Sequence, residues 1–180
     1  MFLILKLNQP VLTILNFVKL AIARYLGINF MGEQISDIFN YRKIDEKIAT
    51  GGQPTVEQIK LIEQAGYQTV INLALATSEN ALADEAAVVE SLGMKYIHIP
   101  IEFTQPTIEQ FDRFTQAMQD NQQDPVFIHC AANLRVSVFV YLYRIQQQGL
   151  SPEQAQVDLY QLWQPNKTWQ NLIDRVLSKS

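Results

Sequence analysis

From about Ile38 the chain alternates between two periods. Short apolar or β-branched runs are separated by longer stretches in which apolar side chains recur every three or four residues. Ile38-Phe39-Asn40-Tyr41 and Ile48-Ala49-Thr50 read as short strands ahead of Gly51-Gly52-Gln53-Pro54. Thr55, with Gln58 three positions on, has capping-box spacing and opens a helix that Gly66 closes. Val70-Ile71-Asn72-Leu73 reads as a strand, Asn80 to Leu92 as a helix ending at Gly93, and Tyr96 to Pro100 as the next strand. Thr107 and Gln110 repeat the capping box, for a helix to about Gln122. Pro125-Val126-Phe127-Ile128-His129 is short and continuously apolar up to its histidine, the pattern of a central strand buried on both faces. A helix from about Val136 to Gln148 stops at Gly149, Ser151-Pro152 caps another through Trp163, and the last runs from about Thr168 to Leu177.

Strands alternating with helices of this length predict an α/β fold, with a central, mostly parallel sheet of about four to five strands flanked by helices. Ligands in such sheets bind at the carboxyl ends of the strands, which directs attention to loops 51–54, 101–106 and 130–135. The aromatics Tyr141, Tyr143, Trp163 and Trp169 fall on predicted helices and read as core.

Composition narrows the function classes. The 180 residues are 48% apolar and 18% charged, with a net charge of −4, enough apolar material for one packed domain. No basic cluster is present, so nucleic acid is not an expected partner. A single cysteine, Cys130, excludes an intrachain disulfide and a multi-thiolate metal site, and places the protein by default in the cytoplasm.

Residues 1–30 contain no acidic residue and stand apart from the domain expected over 31–180. Four readings fit them. Val11–Ile28 is barely long enough to span a membrane and is interrupted by Asn16, Lys19 and Arg24. Ala21-Ile22-Ala23 has the small residues of a signal cleavage site. Thr13, Asn16, Lys19 and Ala23 make a narrow polar stripe on an otherwise apolar helix, suited to lying on a membrane or on the domain. Alternatively, Met31 is the biological start. Membrane contact is expected only through this segment, and none of the chemistry below depends on it.

That chemistry is concentrated after the central strand. His129-Cys130-Ala131-Ala132-Asn133-Leu134-Arg135-Val136-Ser137 joins a buried strand to a helix start through a tight turn. Such a turn aims successive backbone N–H groups and the positive end of a helix into one cavity, which favours negative charge on a thiol there. The amides of Ala131, Ala132, Asn133 and Leu134 would line the cavity, and Arg135 offers a planar fork to an oxyanion. Turning the amides inward requires a left-handed backbone angle, for which Asn133 is the suited residue.

The run from His129 to Ser137 resembles the signature of the protein tyrosine and dual-specificity phosphatase superfamily. Gly51-Gly52-Gln53-Pro54, with Val70-Ile71-Asn72-Leu73 after it, is similar to a small bacterial branch, the beta-lactamase-hydrolase-like phosphatase domains. The resemblance covers about residues 38 to 165. It implies a cysteine-phosphatase-like fold and hydrolysis of phosphomonoesters through a cysteinyl-phosphate, with no metal or other cofactor. Carried over, Cys130 is the nucleophile, Arg135 the oxyanion clamp and Ser137 the thiolate's hydrogen-bond partner, while His129 orients the loop from below. The general acid belongs on the loop after Ile97–Pro100, where Glu102 is the one carboxylate between Ile101 and Pro106; burial would favour its protonated form. The expected partner is a phosphorylated protein or a small phosphate ester, since the loop lacks the extra lysines that a highly charged phosphoinositide calls for.

Two other readings stay open on the sequence. The superfamily spaces its cysteine and arginine by five residues, whereas four separate Cys130 from Arg135, the spacing of a rhodanese-like sulfurtransferase carrying a persulfide on the cysteine. Without a gap in the alignment, Val136 falls on the arginine position. A misdirected arginine would leave a non-catalytic module binding oxyanions or phosphoproteins.

Overall fold

The computed structural model describes residues 33–178, so residues 1–30 and the readings attached to them lie outside the described range. Five strands form one sheet: β1 (Arg42–Lys43), β2 (Ile48–Gly51), β3 (Thr69–Asn72), β4 (Lys95–His98) and β5 (Val126–His129). Their spatial order is β1-β2-β5-β3-β4, with β1 antiparallel and the other pairings parallel. Six helices complete the domain: α1 (Val56–Gln64), α2 (Glu85–Ser91), α3 (Ile108–Asp120), α4 (Leu134–Gln146), α5 (Pro152–Leu162) and α6 (Lys167–Leu177).

Local chemistry sets the helix ends. Thr55, Thr107 and Ser151 each accept a hydrogen bond from the amide three residues on, and the glutamine there bonds back to the cap amide. Each cap is worth about 1 kcal/mol. Gly66 and Gly149 turn the chain after α1 and α4 with φ of 91° and 69°.

Strand alternation sorts β5 between two cores. Val126 and Ile128 face α3, α4, α5 and α6, with Ile71, Phe111, Phe114, Phe139 and Trp169. Phe127 faces the opposite layer, with Ile38, Ile59, Ile62, Val70 and Val89. His129 stacks behind Phe127 at 6.3 Å between ring centroids, so the histidine and the cysteine after it leave the sheet on opposite faces. Helix α4 is buried around its circumference from Arg135 to Tyr143, as expected of a helix enclosed by the sheet and its neighbours.

Three predicted boundaries are corrected. Residues 38–41 are not a strand: a turn closes from Tyr41 N–H to the Ile38 carbonyl, Asn40 adopts φ 54°, and pairing begins only at Arg42. The helix expected from Asn80 starts at Glu85, because the chain first makes turns from Ser78 to Leu75 and from Ala81 to Ser78, while the Asn80 side chain bonds elsewhere. Helix α4 begins at Leu134 rather than near Val136, with the left-handed Asn133 as its N-cap.

Candidate active site

Parallel register brings the chain's polar elements to one level. His129 lies opposite both Gly51 and Asn72, so the loops after β2, β3 and β5 emerge together at the carboxyl edge. The loop after β4 joins them, since Ile99 and Ile101 donate to the Asn72 and Leu73 carbonyls. The loop after β3 is not among the three loops the sequence directs attention to, and its last residues, from Asn80, read there as the start of a helix.

Cys130 ends the central strand and is 1% exposed. The carbonyls that follow it are bound from outside. Ala131 accepts from the Gln53 amide (3.3 Å) and the Asn80 side chain (3.1 Å), and Ala132 accepts from Asn40 Nδ2 (3.0 Å). With these carbonyls turned outward, the Ala131 and Ala132 N–H groups donate to no backbone carbonyl among the described residues. The first amides of α4, at Leu134, Arg135 and Val136, are unpaired within the helix by construction.

Asn133 locks this geometry. Its φ of 65° is the left-handed turn expected from the sequence, and its Nδ2 donates to the Asn40 carbonyl (2.7 Å) and to Thr50 Oγ1 (2.9 Å). Asn133 thus holds the backbone of Asn40 and Asn40 that of Ala132, both asparagines with positive φ. Gly52 completes the contact: its amide donates to the Phe39 carbonyl (2.6 Å), and a Cβ there would meet the Phe39 and Ala131 oxygens at 3.0 and 3.1 Å.

Arg135, the second residue of α4, is 8% exposed. Its guanidinium lies 5.6 Å above the Phe103 ring and makes no hydrogen bond or ion pair with the described residues. Its Nε is buried without a partner, which is costly, and the aromatic ring beside it offsets only part of that cost. Phe103 is itself held by Trp163 and Trp169 and by the Trp169 indole N–H on its carbonyl (3.0 Å). Val136 is fully buried in the apolar core.

Two expectations about side chains change. The Ser137 hydroxyl donates to the Leu134 carbonyl (2.8 Å) and accepts from the Trp163 indole (3.1 Å), so its proton is committed to the first turn of α4 rather than to the sulfur. Trp163, read as core only, therefore has a polar contact inside the site. Glu102 is exposed rather than buried, with Oε1 near the Thr104 amide and hydroxyl (3.5 and 3.3 Å). Its place on the loop whose Phe103 covers Arg135 still brings it to the same edge.

Beneath the loop, His129 is 0% exposed and its Nε2 lies 2.8 Å from Glu85 Oε1, a close contact that falls short of an aligned hydrogen bond. Glu85 also accepts from Gln53 (3.0 Å), Asn72 (2.7 Å) and Tyr96 (3.3 Å). Burial would push its carboxyl up, but His129, Gln53 and Tyr96 outweigh burial and hold it below the ordinary 4.5. Burial, and then the Glu85 charge, push the Tyr96 hydroxyl up to about 12, so it remains a donor. Sequence reading missed Glu85 although it quoted Gln53 and Asn72, because nothing local marks a helix carboxylate as the centre of four elements. Among the described residues no group of three His, Cys, Asp or Glu is placed to hold a metal ion.

A cysteine directly after the central strand, loop amides without backbone acceptors and an arginine in the first turn of the next helix agree with the family that most of the chain matches. The family model described as "DSP-PTPase phosphatase fused to NAD+ Kinase" matches residues 19–172. The chain belongs to this phosphatase family. A proposed phosphatase of the DUF442 group from Shewanella putrefaciens CN-32 is 32% identical, with a TM-score of 0.73 over 81% of this chain and 95% of that one. Tk-PTP in its active form, 18% identical, shares the fold at a TM-score of 0.68 over 78% of this chain and 98% of its own. PTPMT1 in complex with PI(5)P, also 18% identical, gives 0.67 over 77% of this chain and 95% of its own. No curated protein matches the chain. Family membership favours the phosphatase over the sulfurtransferase that the four-residue spacing left open. No helix among the described residues is long and apolar enough to cross a membrane.

Proposed function

We propose that this phosphatase-family domain hydrolyses phosphomonoesters through a covalent intermediate on Cys130. The observation that carries the reading is Arg135, which is 8% exposed, has its Nε buried without a partner and no anion beside it among the described residues, and lies in the first turn of the helix that follows the cysteine loop. A phosphoryl group bound by the Ala131, Ala132 and Leu134 amides and by Arg135 would supply the missing anion.

In this mechanism the Cys130 thiolate attacks phosphorus as the bond to the leaving oxygen breaks. That oxygen takes a proton from Glu102. Water then attacks phosphorus as the phosphorus–sulfur bond breaks, Glu102 takes the water's proton, and phosphate leaves with the thiolate restored. Ser137 acts here by fixing the first turn of α4, which carries Arg135, rather than by binding the sulfur. His129 supports the loop from the opposite face of the sheet. No lysine occurs between His129 and Ser137, which favours phosphotyrosine, phosphoserine, phosphothreonine or a small ester over a polyanionic headgroup.

The test is turnover of para-nitrophenyl phosphate by the full chain and by Cys130→Ser. Vanadate-sensitive release that is absent from the variant is expected. If wild type releases no phosphate while iodoacetamide still alkylates Cys130, the hydrolase reading is refuted. Thiocyanate formation from thiosulfate and cyanide would then identify a sulfurtransferase, and its absence an oxyanion-binding module.

A further inference from the structure

Glu85 is 4% exposed, and no step of the mechanism above uses it. Its two oxygens take four contacts from four separate elements: Gln53 after β2, Asn72 at the end of β3, Tyr96 in β4 and His129 at the end of β5. This fills the acceptor capacity of a carboxylate, so the group has no further ligand to take.

Both partners of Oε1 adjoin the cysteine loop. His129 immediately precedes Cys130. Gln53 donates its side chain to Oε1 (3.0 Å) and its backbone N–H to the Ala131 carbonyl (3.3 Å), the residue that immediately follows Cys130. One carboxylate oxygen therefore holds the chain on either side of the nucleophile.

We infer that Glu85 is a positioning residue for Cys130, acting through His129 and Gln53. The inference deepens the reading of Cys130 as the nucleophile and rests on it. The carboxylate's particular contribution is two anionic acceptors set back to back. A carboxamide at position 85 presents one oxygen and one NH2. Turned either way, it places donor against donor at the His129–Gln53 side or at the Asn72–Tyr96 side. The charged and titratable groups facing Glu85 are His129 from β5 and Tyr96 from β4, while Gln53 and Asn72 are neutral.

The test follows Cys130 directly. It is the one cysteine in the chain, so each alkylation by iodoacetamide, read as intact mass, reports on it alone. Rates are measured on the full chain across mildly acidic to alkaline pH for wild type, Glu85→Gln and Tyr96→Phe, with circular dichroism to establish folding. Glu85→Gln is expected to change the neutral-pH rate about five-fold, the equivalent of one lost hydrogen bond, and to displace the rate–pH profile. Tyr96→Phe removes the donor to Glu85 and the acceptor for the Asn72 side chain, and should produce about a two-fold change in the same direction; it decides the matter if Glu85→Gln does not fold. A folded variant whose profile superimposes on wild type overturns the inference and leaves Glu85 a structural staple only. Phosphate release separates the two claims. An alkylation response without wild-type turnover sinks only the hydrolase, and turnover without an alkylation response sinks only the role of Glu85.

Discussion

Replacing Asn133 separates the two ways in which the cysteine loop is held. The side chain is fully buried and donates at 2.7 Å to the Asn40 carbonyl and at 2.9 Å to Thr50 Oγ1, which is itself buried. Losing both bonds costs about 2 kcal/mol at about 1 kcal/mol each. The φ of 65° adds a second term that depends on the replacement. Alanine pays about 1–2 kcal/mol to adopt left-handed angles, whereas glycine adopts them freely and gives back about 0.5–1 kcal/mol through the entropy of the unfolded chain. Asn133→Gly should therefore lose about 2–3 kcal/mol and Asn133→Ala about 3–4 kcal/mol. Urea unfolding of the full chain measures both. Turnover should fall in both variants, and further in alanine, because the Asn40 contact that latches the Ala132 carbonyl loses its counterpart. An alanine variant as stable as the glycine one would refute the backbone argument. A glycine variant within about 0.5 kcal/mol of wild type would refute the hydrogen-bond argument.

Gly52→Ala would drive a Cβ to 3.0 Å from the Phe39 oxygen and 3.1 Å from the Ala131 oxygen. Both are backbone atoms, so the loop must move; about 1–3 kcal/mol should be lost in urea unfolding together with most turnover, and a fully active variant would contradict the close packing. Trp163→Phe keeps the ring against Phe103 but removes the donor to Ser137, and should cost about 1 kcal/mol; unchanged unfolding would mean the indole contact contributes nothing. Glu85 links stability to acid. Its carboxyl is held below 4.5, so the contribution is complete above that pH and is lost as pH falls through the depressed value. Melting temperature should drop more steeply below about pH 4.5 in wild type than in Glu85→Gln, and parallel curves would rule this out.

The parts of this fold legible in the sequence are those that local chemistry decides. Thr55, Thr107 and Ser151 each start a helix with a reciprocal glutamine contact that lies within four residues. The apolar run 126–129 could be placed at the centre of a sheet because only a strand buried on both faces has no polar alternation. Asn133 was legible for the same reason, since few side chains tolerate its backbone angle. What escaped depended on partners far along the chain. Asn40 and Asn133 are 93 residues apart, and their bonds turn an apparent strand at 38–41 into a loop clasp. Glu85 and His129 meet only because α2 packs into the same layer that covers Phe127. Trp163 was placed correctly against the core, but its indole hydrogen bond required knowing where α5 ends relative to α4.

The four-residue spacing between Cys130 and Arg135 follows from where the helix starts. Were α4 to begin near Val136, as its apolar pattern suggested, Arg135 would lie in the turn with no fixed direction. Asn133 takes the left-handed angle and caps the helix, so Leu134 and Arg135 are already helical. One residue along a helix is a rotation of about 100°. That rotation sends Val136 into the apolar core, where a valine gains from burial and an arginine would not. Arg135 is left facing Phe103 on the loop after β4, at the carboxyl edge where the other loops converge. A fifth residue inserted before Arg135 without a compensating change would move the arginine toward the direction Val136 now takes. The four-residue spacing and the helix start after Asn133 therefore act together in setting the direction in which Arg135 points, over the Phe103 ring.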